Sequence, residues 1–156
     1  MRDKRFKAEH LGGSLSLTNH RLLAIWAADC VEHALSLFTN EYPEDDRPRK
    51  AVEAARAWSR GEIPVGEARA AAINSHASAR EAELEPAQFI ARAAGHAAGT
   101  AHMADHAPNA ALYVIMAIKA LSIQDDKDLL VEKEREWQRQ QLAEGIKALL
   151  RKFYEQ

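Results

Sequence analysis

Asn19 to Phe38 read NHRLLAIWAADCVEHALSLF, and the fold follows from how this stretch winds. At about 100° per residue its apolar side chains occupy most of the helix circumference, the pattern of a helix buried in a core rather than laid on a surface. The polar residues Asp29, Glu32, His33 and Ser36 fall on one narrow stripe, which either faces water or lines a polar pocket. Thr18 is the expected N-cap. Upstream, residues 1–16 carry mixed charge and the GGS of Gly12 to Ser14, so a flexible N-terminal arm is expected before a single domain over residues 17–156.

Downstream, TNEYPEDDRPR breaks the helical pattern, because Pro43 and Pro48 disfavour helix at the residue before each. Asp46 then caps a second helix with Pro48 in its first turn, ending near Gly61. Further helices are expected from about Val65 to Glu83, Pro86 to His106 and Pro108 to Ser122. The last begins in the acidic DDKD and ends in basic residues, complementing the helix dipole. Its inner face would hold Trp137, Leu142, Ile146, Leu149 and Phe153, and Gly145 is a point where it divides or bends. No alternation of period two is present, so the expectation is an all-α bundle of about six helices. Of the 57 residues from Ala51 to Ala107, 20 are alanine, which favours helix and lets helix axes approach closely.

A chain of 156 residues buries roughly 68–70% of its unfolded surface and needs no staple. The single cysteine, Cys30, excludes an intramolecular disulfide, and with no secretory signal the expected location is the cytoplasm. No run approaches the ~18 apolar residues of a membrane span. With 21 basic and 23 acidic residues and a net charge of −2, overall charge gives no reason to bind nucleic acid or acidic lipid.

The chemistry-bearing residues concentrate in two places. GHAAGTAHMADHA, Gly95 to Ala107, holds three of the seven histidines. On one regular helix Gly95, Gly99, His102 and His106 share an arc while His96 lies elsewhere, so the three imidazoles would not converge. His102 and His106 are spaced to supply two metal ligands, with Asp29 or His33 as a third, yet no HExxH pattern accompanies them. Three readings stand open: a helix-packing seam with hydrogen-bonded imidazoles, a polar pocket of Asp29, His33, His96, His102 and His106, or a metal site. The second place is EDDRPRK, Glu44 to Lys50. There Arg47 or Arg49 is expected to tie the loop to the first helix through Asp29 or Glu32, while Glu41, Glu44, Asp45, Asp46, Arg47 and Arg49 form the first choice for a partner-contact patch. No GxSxG, Walker A or GxGxxG pattern occurs, so no catalytic residue and no cofactor is expected.

LLAIWAADCVEHAL (Leu22 to Leu35), DDRPRKAVEAARAWSRGE (Asp45 to Glu62), GEARAAA (Gly66 to Ala72), ARAAGHAAGTAHMADHA (Ala91 to Ala107) and EREWQRQQL (Glu134 to Leu142) together resemble a family of small bacterial α-helical immunity proteins. That family is grouped with the fifth-numbered immunity class of polymorphic toxin systems. The resemblance runs from Leu22 to about Leu150, and its matching polar positions are Asp29, Asp45, Asp46, Arg47, Arg49, His96, His102 and His106. It implies a cytoplasmic protein that binds and neutralises a cognate toxin without catalysis, and it transfers no catalytic residue. The alternatives are a metal-dependent enzyme or ligand sensor built on His102 and His106, and a helical scaffold whose homo-oligomer does the work.

Overall fold

A computed structural model describes residues 3–155. Its elements in chain order are two 3-10 turns (Lys4–Phe6 and Glu9–Leu11) and eight α-helices: α1 (Leu17–Ala34), α2 (Ser36–Thr39), α3 (Arg47–Ser59), α4 (Val65–Glu81), α5 (Glu85–Gly99), α6 (His106–Leu121), α7 (Lys127–Gln140) and α8 (Glu144–Tyr154). No strand forms among the described residues; Ala8 and Leu15 make an isolated bridge. The all-α expectation therefore holds, while the count rises from about six to eight.

Each extra helix has a local cause. At Leu35 the backbone N–H bonds back to Glu32 rather than one residue further, a 3-10 tightening that separates α2 from α1. At Gln141 to Ala143 the chain leaves helical geometry, with Ala143 extended as it enters α8. The helix expected from Pro86 to His106 ends at Gly99. Thr100, Ala101 and His102 then donate to Ala97, Ala98 and Gly99 in a tight turn, and α6 starts at His106.

The caps also differ from expectation. The side chain of Ser16, not Thr18, caps α1 by accepting from the Asn19 N–H at 3.1 Å. Asp46 occupies the N-cap position of α3 without a side-chain cap bond; Asp45 instead accepts the Arg47 N–H at 3.1 Å. Gly61 follows α3 with φ +73°, a left-handed turn that glycine adopts without steric cost.

Alanine lets α5 sit at the centre. Ala87, Ile90, Ala91, Ala93, Ala94, Ala97 and Ala98 are all buried, and α5 packs against α1, α2, α3, α4 and α6. Helix α1 buries Leu23, Trp26, Ala27, Cys30 and Val31, as its all-round apolar pattern requires, and contacts α3, α5, α6 and α8. On α8 the inner stripe is Ile146, Leu150 and Tyr154; Leu149 and Phe153 are only partly buried, because the break before Glu144 resets the register of this face.

Phe6, Ala8 and Leu15 are buried, and Phe6 and Leu15 join the main core cluster. The described part of the segment expected as an arm thus packs on the helices, and its first two residues, Met1 and Arg2, lie outside the described residues. Among the described residues no helix is long and apolar enough to cross a membrane.

Candidate functional site

The break at Gly99 decides the geometry of the histidine segment. Because α5 stops and α6 returns alongside it, His106 comes back to His96: their Nδ1 atoms lie 2.8 Å apart, one ring donating its N–H to the lone pair of the other. His96 also stacks on Tyr113 of α6, with centroids 5.2 Å apart and planes 14° from parallel. His76 of α4 meets His96 edge-on at 5.1 Å, and His102 lies 5.3 Å from His106. Four imidazoles thus form a continuous row across α4, α5, the turn and α6. The expectation that His96 stands apart from His102 and His106 is corrected, since it assumed one unbroken helix.

Glycine makes room for this row. A Cβ on Gly95 would stand 2.6 Å from the His76 ring, and one on Gly99 would stand 3.3 Å from His106. At both glycines a neighbouring helix comes against α5 through an imidazole, His76 from α4 at Gly95 and His106 from α6 at Gly99. Burial, with further contributions from His106, His76 and Arg92, pushes His96 down to about 3. Burial likewise lowers His76, with Arg92 and Arg80 adding to the effect. At neutral pH these two rings are uncharged donors and acceptors. Among the described residues no group of three or more His, Cys, Asp or Glu side chains is arranged to hold a metal ion.

Asp29 and His33, the other members of the expected pocket, are engaged by different helices, α3 and α7. Asp29 pairs with Arg56 of α3 at 2.9 Å, and Arg56 also reaches Glu32 at 2.7 Å. His33 stacks on Trp137 of α7 with centroids 3.7 Å apart and its Nε2–H donates to the buried Glu134 carboxylate at 2.9 Å. The polar stripe of α1 is therefore divided between α3 and α7, drawn apart by a guanidinium on one side and an aromatic face with a carboxylate on the other.

In the Glu44 to Lys50 segment, Arg47 grips Asp45 through two N–H donors at 2.9 and 2.8 Å and also bonds Glu81 of α4. The Ser78 hydroxyl donates to Asp45 at 2.7 Å. The Arg47 hydrogen bonds hold Asp45 at about 2. The loop is thus tied to α4, not to α1 as expected, because Arg56 already occupies Asp29 and Glu32. Asp46 pairs with Lys50 at 3.1 Å, and Glu41, Glu44, Asp46 and Arg49 are exposed.

Three arrangements escaped the sequence reading. One is a cleft of about 460 Å³ whose lining includes Phe6, Leu17, Trp58, Val65 and His102; beside it the Nε2–H of His20 donates to the Thr100 carbonyl at 2.6 Å. Its signal was Trp58, an aromatic at a half-polar helix end. Another is the buried Gln138, which donates to the Ala111 carbonyl and to Glu134, both at 3.1 Å, and accepts from the Tyr154 hydroxyl at 3.0 Å. The Trp26 indole N–H donates to the Gln138 carbonyl at 2.9 Å. Amides and hydroxyls of this kind carry no spacing rule that separates them from surface residues. The third is His76, which as an isolated histidine on α4 gave no spacing to join it to the other rings.

Among comparisons with known proteins, no solved structure and no curated protein matches this chain. A family sequence model does match, over residues 13–145. That span contains α1 to α7, the histidine row and the Asp45–Arg47 clamp, so the chain belongs to the family described as Imm-5 like putative immunity protein.

Proposed function

We propose that this protein binds a bacterial toxin in the cytoplasm and neutralises it by occlusion, without catalysis. The observation that carries the reading is membership of the immunity family across residues 13–145. The pairing of the half-buried polar groups supports it. His96 and His106 are spent on one another, Asp29 on Arg56, and Asp45 on Arg47, an economy that holds helices together and leaves recognition to the surface. Of the residues first chosen for partner contact, Glu41, Glu44, Asp46 and Arg49 are exposed, whereas Asp45 and Arg47 act within the fold and would position the loop.

The test is neutralisation of the toxin domains encoded beside the gene. Co-expression should restore growth for one of them, and growth arrest unrelieved for every neighbouring toxin would end the reading. In the same assay partner, Glu41→Lys with Glu44→Lys should slow association roughly tenfold and flatten its dependence on salt, because exposed charges act mainly on encounter. Unchanged rates at both low and high salt would remove these two residues from the contact surface.

A further inference from the structure

The fold leaves an apolar groove whose surround is net acidic. It lies between α2, the start of α5 and the end of α6, measures about 220 Å³, and is lined by Leu37, Glu41, Leu84, Pro86, Ala87 and Leu121 among others. Its apolar rim is open to solvent: Leu84 is 47% exposed and Leu121 52%, and Ile123, two residues further on, is 70% exposed. Large apolar side chains gathered at one groove are uncommon on a protein that works alone and mark contact surfaces.

The groove is also held in shape. The Tyr42 hydroxyl accepts from the backbone N–H groups of Glu83 and Leu84 at 2.9 and 3.2 Å, and Gln88 donates to the Ala82 carbonyl at 2.6 Å. Beneath it the buried Phe38 packs on Tyr42 with centroids 5.2 Å apart. A segment pinned in this way loses little freedom on binding, which favours affinity.

Charge selects the occupant. The chain flanking the lining residues, 34–43, 82–89 and 119–123, has Glu41, Glu83, Glu85 and Lys119 as its charged side chains. All four are exposed, three acidic against one basic, so the surround is net acidic. The larger cleft near Trp58 is edged instead by Asp3, Lys4, Lys7 and Asp105, a mixed rim that selects no sign of partner. We propose that the groove between α2, α5 and α6 is the toxin-docking surface, and that it takes an apolar side chain carried on a basic, Lys- or Arg-flanked segment of the toxin. The proposal rests on the immunity reading: the apolar side chain would anchor in the groove while Glu41, Glu83 and Glu85 face the flanking cations.

The experiment uses the full chain and the catalytically inactivated toxin domain identified by growth rescue. Binding is measured for the wild type, for Leu84→Asp with Leu121→Asp, for Glu41→Lys with Glu83→Lys and Glu85→Lys, and for Ile73→Asp, a control at a 58% exposed apolar position on α4. The apolar pair should bind roughly thirtyfold more weakly. The charge-reversed triple should associate about tenfold more slowly with its salt dependence flattened, and Ile73→Asp should match the wild type. The triple alters only exposed side chains, so it decides the matter if the apolar pair fails to fold. A wild type that binds while both groove variants stay within twofold of it overturns the groove and leaves the immunity reading standing. Loss of self-association in the apolar pair, with toxin affinity unchanged, assigns the groove to a second copy and also overturns the proposal. A wild type that binds none of the neighbouring toxins overturns the immunity reading and the groove with it.

Discussion

At the scale of single residues, Gly95 and His96 carry the most specific consequences. Alanine is the better helix former by about 1 kcal/mol, yet Gly95→Ala should destabilise the protein by roughly 1–3 kcal/mol in urea denaturation, because the new Cβ falls 2.6 Å from the His76 ring. Gly66, with nothing within 4 Å of its Cβ position, should give the opposite sign with alanine, a gain of a few tenths of a kcal/mol. Adding His76→Ala should recover much of the Gly95→Ala loss; strict additivity would mean that the ring does not fill the notch. His96 sets a pH dependence. Its folded value of about 3 lies below the 6.5 of the free side chain, so above pH 6.5 its contribution is complete. As pH falls from 6.5 towards 3 the unfolded chain takes up a proton that the fold resists, and stability declines. His20 and His76 shift the same way, both chiefly through burial. Urea midpoints should drop between pH 7 and 4.5, and His96→Gln with His76→Gln should flatten that drop; an equally steep decline in the double variant would place its origin elsewhere.

At the scale of elements, helix class and several helix ends were legible, among them the start of α4 at Val65 and the end of α6 at Leu121, but the breaks inside helical-looking stretches were not. The apolar circumference of Leu22 to Leu35 and the alanine content of α4 and α5 leave little choice but close-packed helices. The stop at Gly99 carried no such mark, because Thr100, Ala101 and His102 continue a helix as readily as they end one, and tertiary packing decided. That one break explains why the histidine convergence was hidden: a straight helix keeps His96 and His106 apart, while a turned chain sets their Nδ1 atoms 2.8 Å apart. The Glu44 to Lys50 segment was legible as a charged tie but not its partners: Arg47 or Arg49 was expected on Asp29 or Glu32, whereas the Asp45–Arg47 pair and its anchor on Glu81 and Ser78 depend on where α4 lies. Between α7 and α8 the Tyr154 hydroxyl bonds Gln138 at 3.0 Å, beside the Arg135 guanidinium on the Phe153 and Tyr154 carbonyls. Tyr154→Phe leaves a buried amide oxygen without its donor and should cost about 1–3 kcal/mol by thermal or urea denaturation. A cost near zero would show that this hydroxyl does not hold α8 in place.

At the scale of the whole molecule, the polar interior is occupied with its own structure and the exposed chemistry is apolar and acidic around α2, α5 and α6. Under the proposed function such a body acts by covering its toxin. Occlusion has a stoichiometry that catalysis lacks. The most direct measurement is therefore a titration of the purified toxin's activity with this protein, at toxin concentrations well above the dissociation constant. The account predicts a linear fall in activity that ends at one protein per toxin. Full protection at a small fraction of that ratio, or undiminished toxin activity at any ratio, would contradict it.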